Sequence, residues 1–235
     1  MSNSENPVLF IVGTPIGNLA DMAPRAIETL KQVDLVLTED TRSFRKLASA
    51  FRIETNAESF FEHNERKKLD RIVSDLEAGR RIALISDAGM PLVSDPGFLL
   101  VRACRERNIP YAVIPGPSAV LTALVASGFE MQRFSFEGFL PQKSGKRKAA
   151  LEDALSRIGA TVFFESPHRI EKAVSALVEL DPSANVYIGR ELTKRFEEHL
   201  HGTAEEVLAS LQGRETVKGE LVLVVRGVHK KDKGN

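Results

Sequence analysis

IALISDAGMPLVSDPG, Ile82–Gly97, begins as a short apolar run and continues as a loop far longer than a strand-to-helix connection needs. Ile82–Ile85 reads as a buried strand. The loop from Ser86 holds Asp87, Gly89, Pro91, Asp95, Pro96 and Gly97, and Asp95-Pro96 reads as the cap and first-turn proline of the next helix. The same unit recurs on both sides. Val8–Val12 runs into Gly13-Thr14-Pro15-Ile16-Gly17-Asn18, with Asp21 and Pro24 marking a helix start. Leu35–Leu37 precedes Glu39-Asp40, and Tyr111–Ile114 leads through Pro115-Gly116-Pro117 into a helix over Ser118–Ala126. Between Asn64 and Ala78, Leu69, Ile72, Val73 and Leu76 fall on one helical face. This alternation predicts an α/β sheet with largely parallel strands.

The pattern changes near Ser127-Gly128-Phe129. Phe134–Phe139 reads as a strand, and the polar Pro141–Gly145 segment as a loop before a helix over 147–157. Strands follow at Thr161–Phe164, Val186–Ile188 and Leu221–Val225. Ile170, Ala173, Val174, Leu177 and Val178 form one apolar helical face, and Thr203 with Glu206 makes a capping box. A boundary within 117–130 therefore separates two α/β domains, 1–120 and 121–228, with the cleft between them the natural ligand site. The tail 229–235 is expected to be disordered.

Composition narrows the class. The 235 residues carry 32 Lys+Arg and 32 Asp+Glu, a formal net charge of zero, which argues against a general coat for nucleic acid or an anionic membrane. Apolar runs of five residues are far short of the roughly 20 needed to span a bilayer. Nothing at the N-terminus reads as a signal peptide, and Cys104 has no second cysteine to pair with, so a cytoplasmic location is expected.

Three glycine-bearing loops after three strands should share one edge of a parallel sheet, where such folds place ligands. Gly13, Gly17 and Gly116 would let backbone approach a bulky cofactor. A dinucleotide fingerprint is absent: the first loop reads G-x-x-x-G, and Pro15 lacks an amide. A phosphate loop fails as well, because Arg147 follows Gly145-Lys146 where Ser or Thr is required.

VGTPIGNLAD, VLTEDTR, ISDAGMPLVSDPG, IPGPSAVLTAL, EGFLP, FFESPHRI and RELTKRFEE, taken in order from Pro7 to Val228, resemble the tetrapyrrole methylase superfamily. The likeness is to the ribosomal branch of these S-adenosylmethionine (SAM) enzymes. It implies class III methyltransferase architecture, two α/β domains with a SAM-binding interdomain cleft, and a homodimer. Carried onto this sequence, it implies cofactor contacts at Pro15, Asp87, Met90, Ser118 and Ala119, with Phe164 and Glu165 contributing from the second domain. The implied reaction is 2′-O-methylation of a cytidine in the decoding region of small-subunit rRNA, on the ribosomal subunit.

SAM carries its own activated methyl group, so the protein's task is alignment plus removal of the ribose hydroxyl proton. Ionisable residues beside the loops are Glu39, Asp40 and Arg42; His63 and Glu65; Glu165 and His168; and Lys218 and Glu220. Each has a plainer alternative: Glu39 and Asp40 can cap the next helix while Arg42 pairs with one of them, and Glu165-Ser166-Pro167 can be a helix start with Ser166 as cap. His199 and His201 share a strand face without a third ligand, so no metal is expected. Basic residues concentrate at Arg42, Arg45 and Lys46, and in a loop at Lys143, Lys146, Arg147 and Lys148, the two segments expected to frame RNA. Alternatives are a porphyrinoid or diphthine methylase, or a non-catalytic RNA-binding assembly factor.

Overall fold

The structure, a computed structural model, describes residues 6–228; the predicted disordered tail lies outside the described residues. The chain divides into two compact units, Met1–Ser118 and Ala119–Asn235.

In the first unit β1 (Leu9–Val12), β2 (Leu35–Thr38), β3 (Ala57–Ser59), β4 (Ile82–Leu84) and β5 (Tyr111–Ile114) form one parallel sheet in the order β3-β2-β4-β1-β5. Every residue of β1, β2 and β4 is buried, which is why these strands read as unbroken apolar runs. Side-chain alternation sends Phe10, Val12, Val36, Ala83 and Ile85 into one core, shared with Ala26 and Leu30 of α1 (Pro24–Gln32) and Phe44 and Leu47 of α2 (Thr41–Phe51). Leu9, Ile11, Leu37, Ile82 and Leu84 pack on the opposite face with Ile72 and Leu76 of α3 (Glu62–Glu77) and Leu100 and Cys104 of α4 (Phe98–Glu106).

Pro24 opens α1 as its position predicts, whereas Asp21 belongs to a separate 3-10 turn, Leu19–Asp21, capped by Asn18. The expected cap of α4 is also displaced. Asp95 and Pro96 precede the helix, whose N-cap is Gly97 at φ 119°. The Glu65 carboxylate on α3 instead accepts the Leu99 and Leu100 N–H groups at 3.1 and 3.4 Å, a long-range cap that local sequence does not encode.

The second unit contains α5 (Ala119–Ser127), β6 (Phe134–Phe139), α6 (Ser144–Ser156), β7 (Ala160–Glu165), α7 (Ile170–Leu180), β8 (Asn185–Arg190), β9 (Glu198–Thr203), α8 (Ala204–Gln212) and β10 (Leu221–Arg226). Its sheet, β6-β7-β10-β8-β9, is mixed: β6 and β7 run parallel, while β7–β10, β10–β8 and β8–β9 are antiparallel. The expected capping box forms, with Glu206 N–H on Thr203 Oγ1 at 3.2 Å and Thr203 N–H on the Glu206 carboxylate at 2.9 Å.

Two helix starts differ from the sequence reading. The Lys143–Lys148 segment is not a loop: helix begins at Ser144, because Lys, Arg and Ala after Gly145 are good helix formers. Ser166 and Pro167 form a turn, with Arg169 and Ile170 N–H groups on the Ser166 carbonyl, and α7 starts at Ile170 with Arg169 as N-cap.

Candidate functional site

The strands carrying the three glycine loops are neighbours, β4-β1-β5, so the loops after them emerge side by side at the carboxyl edge of the sheet. Gly13 N–H reaches the Ile114 carbonyl at 3.0 Å. Thr14 and Gly89 exchange backbone bonds at 2.8 and 3.1 Å, drawing the long loop after β4 back over the first. Gly13 and Gly116 touch backbone to backbone: a Cβ on Gly13 would lie 2.7 Å from Gly116 N and Cα and from Met90 Sδ. Their smallness thus has a structural cause that the sequence reading missed, which is contact between the two loops themselves. Within the long loop, Leu92 and Ser94 hold positive φ values of 71° and 68°, conformations that cost of order 1–3 kcal/mol each and concentrate at functional loops.

A cavity of about 220 Å³ opens at this edge, lined by Pro15, Gly17, Thr38, Lys46, Ser86 and Asp87 among others. Carboxylates gather beside it. Asp40 N–H donates to Asp87 Oδ1 at 3.3 Å. Burial, reinforced by the charge of Asp87, raises the Glu39 carboxyl above its usual range. Burial raises Asp87 as well. Asp95 is pushed up to about 7 by burial and then by the charges of Glu39 and Asp87, despite a hydrogen bond from Ser86. The second Asp of an overlong loop was its only sequence signal. Asp40 goes the other way, held low by its bonds from Arg42. It accepts the Arg42 N–H at 2.8 Å as cap of α2 and binds the guanidinium through Nε and Nη2 at 3.0 and 2.8 Å. The cap-and-pair alternative is therefore the arrangement seen for Asp40 and Arg42.

In the second unit, Phe164 is half-buried, edge-on to Phe136 and Phe139 with ring centroids 4.9 and 5.6 Å away. Glu165 is buried; Oε1 pairs with Arg169 at 2.6 Å and accepts the Ser166 N–H, while Oε2 has no hydrogen-bond partner among the described residues. Lys218 is exposed and accepts a bond from Arg190 through its carbonyl at 3.2 Å. Ser118 ends the first unit, and Ala119 starts α5. His63 is exposed beside Phe61, and Glu65 is the α4 cap described above.

Arg42, Arg45 and Lys46 are exposed on α2. Lys143 is the N-cap of α6, with Lys146 and Lys148 exposed on its first turns. Lys148 pairs with Glu179 at 3.2 Å. Arg147 departs from expectation: it is buried, with Nη1 on the Gln142 carbonyl at 3.2 Å, because the helical phase turns it inward. Among the described residues no group of three or more His, Cys, Asp or Glu is placed to hold a metal ion, and no helix is long and apolar enough to cross a membrane.

The family description Tetrapyrrole (Corrin/Porphyrin) Methylases matches residues 8–208. Curated relatives carry the name ribosomal RNA small subunit methyltransferase I. That of Mesorhizobium japonicum is 46% identical over 221 residues, covering 93% of this chain and 75% of its own. That of Vibrio cholerae is 44% identical, covering 94% and 77%. Among solved structures, the methyltransferase CobJ aligns with a TM-score of 0.70 at 16% identity, covering 93% of this chain and 94% of its own. Uroporphyrin-III C-methyltransferase from Thermus thermophilus complexed with S-adenosyl homocysteine aligns at 0.63 and 19% identity, covering 93% and 97%. At such identities these two bear on fold alone.

Proposed function

This chain belongs to the tetrapyrrole methylase family, and on that premise we propose that it transfers a methyl group from SAM to small-subunit rRNA. The finer reading is 2′-O-methylation of a cytidine in the decoding region, by a cytoplasmic homodimer acting on the ribosomal subunit. The observation that carries the cofactor assignment is the convergence of the Gly13, Asp87 and Gly116 loops, with three carboxylates, on one sheet edge.

The residues present fit a cationic cofactor. Asp87 lines the cavity, and Glu39 and Asp95 are near enough for their charges to act on one another and with Asp87, a local negative field that suits a sulfonium and an ammonium group. Pro15, Gly17, Asp87 and Met90 are the residues assigned to hold it, with Gly116 and Ser118 completing the edge. SAM supplies a methyl group already activated on sulfur.

The chain's own work is to fix that ligand against the acceptor and to take a proton. Of the Glu39–Asp40 pair, Asp40 is engaged by Arg42, so Glu39 is assigned as proton acceptor. Its raised carboxyl pKa makes it the stronger base of the two. The carboxylate takes the proton of the ribose hydroxyl as that oxygen accepts the methyl group.

The test is transfer of labelled methyl from SAM to unmodified small subunits and to naked rRNA, followed by mapping of the modified ribose. Glu39→Gln should lower kcat by about 10²-fold, beyond any loss of SAM affinity that follows from removing one carboxylate charge. No incorporation on either RNA would sink the reading, and label on a base would reject its 2′-O part.

A further inference from the structure

We propose that the N-terminus of α6 binds a single phosphodiester of the RNA backbone, an assignment that rests on the RNA-methylating function above. The helix runs thirteen residues from Ser144 to Ser156, and its N-cap, Lys143, makes no side-chain capping bond. The first backbone bond closing onto the cap is Arg147 N–H to the Lys143 carbonyl at 2.9 Å. The N–H groups of Ser144, Gly145 and Lys146 therefore have no partner of the helical type. Together with the aligned peptide dipoles they present partial positive charge suited to an anion.

The second observation is independent of the helix end. Arg147 is only 9% exposed, and its buried Nε has no hydrogen-bond partner among the described residues. Among the described residues the guanidinium's one hydrogen bond is to the neutral Gln142 carbonyl, at 3.2 Å, and no ion pair to it occurs. A buried guanidinium without an anion is costly, and a buried charge is normally paired. Arg147 lines a cavity of about 380 Å³ together with Ser144, Gly145 and Lys172. Glu171 and Glu179 line it as well, but Glu179 is already paired with Lys148 at 3.2 Å. The cations thus outnumber the carboxylates even before the helix dipole is counted.

The arrangement also works against the helix itself. Lys146, Arg147 and Lys148 place three cations in its opening turns, where the dipole disfavours positive charge. A phosphate seated across Ser144 and Gly145 reverses that penalty and brings an anion to the Arg147 guanidinium. The site is specific for one phosphate and reads no base, so it fixes the register of a bound strand.

The test is Gly145→Asp in the full chain. A Cβ at Gly145 meets nothing within 4 Å, so the substitution is sterically free. A carboxylate in a first helical turn favours the helix while repelling phosphate. Affinity for unmodified small-subunit rRNA should fall about tenfold, and the slope of log K against log salt should become shallower by about one. Thermal stability and SAM affinity should hold or improve. Unchanged RNA affinity and salt slope in this variant would overturn the proposal. Titration of wild-type protein with inorganic phosphate should shift the Ser144–Lys146 amide resonances, and silence there would also count against the site. Failure of the functional reading is seen separately, as absent methyl transfer by the wild type. Phosphate-induced shifts without RNA binding would then reject the phosphodiester and leave a free-phosphate site.

Discussion

The Glu65 carboxylate, on α3, accepts the Leu99 backbone N–H at 3.1 Å and so closes the N-terminus of α4 from another helix. Glu65 is 6% exposed, and the same oxygen also reaches Leu100 N–H at 3.4 Å. Two early amides of α4 depend on one side chain more than thirty residues upstream. Removing it leaves those donors unsatisfied beside the functional loop. Glu65→Ala should destabilise the protein by about 1–3 kcal/mol in urea unfolding, and Glu65→Gln, which keeps an acceptor oxygen, by less. An alanine variant within about 0.5 kcal/mol of wild type would show that water caps α4 equally well.

Gly13 and Gly116 make a second, tighter relationship. A Cβ on either comes within 2.8 Å of the other's backbone, and backbone cannot rotate away as a side chain can. Gly13→Ala must push the β1 and β5 loops apart, at a cost of about 1–3 kcal/mol. SAM affinity by calorimetry should fall with it, since the proposed cofactor edge is built from these loops. A variant that keeps wild-type SAM affinity would detach the glycine contact from the cofactor site.

Those glycines mark what the sequence could and could not disclose. The parallel sheet was legible because β1, β2 and β4 are buried on both faces and read as continuous apolar runs. The loops' shared edge was legible because each follows a strand of a sheet expected to be parallel. The partner of Gly13 was not, because contact between Gly13 and Gly116 depends on tertiary closure across a hundred residues. The same limit hid the Glu65 cap, which displaced the local Asp95-Pro96 signal. Arg147 shows another limit: Lys143–Lys148 read as a uniform basic loop, but helical phase buries one cation and leaves its neighbours exposed. In the second unit, strand positions were readable while the antiparallel pairings of β10 with β7 and β8 were not, since pairing partners lie far apart in sequence.

Asp95 carries a pH dependence of defined sign. Its folded pKa, about 7, lies above its unfolded value near 3.8, so the native state binds more protons between those limits. Stability should therefore decline as pH rises from about 4 to about 7 and level off above. Asp95→Asn removes the strain of the charged form, and its melting temperature should exceed that of wild type at pH 8 by more than at pH 5. With partial exposure and solvent screening, the gain is about 1 kcal/mol. SAM, as a cation, should bind wild type more tightly at pH 8 than at pH 6. A pH-independent difference between variant and wild type would remove Asp95 from this role.

Glu198 on β9 supplies the opposite case. Arg214 grips it through Nη1 and Nη2 at 2.9 and 2.5 Å, and Arg190 Nε adds a bond at 2.7 Å. These bonds, Arg214's first, hold its carboxyl down to about 2 against a modest burial penalty. The unfolded chain protonates the group near 4.5, so here the unfolded state binds more protons between about pH 4.5 and 2. The stability it contributes is complete above that window and is lost as pH falls through it. Glu198→Gln should cost about 1–2 kcal/mol at pH 7, discounting for the partial exposure of all three side chains, and almost nothing near pH 2. High salt should shrink the effect only in part, because bidentate geometry persists when long-range attraction is screened. Urea unfolding of both proteins across pH 2–7 decides it: a gap that stays constant over that range would mean the ion cluster does not stabilise the β8–β9 edge through charge.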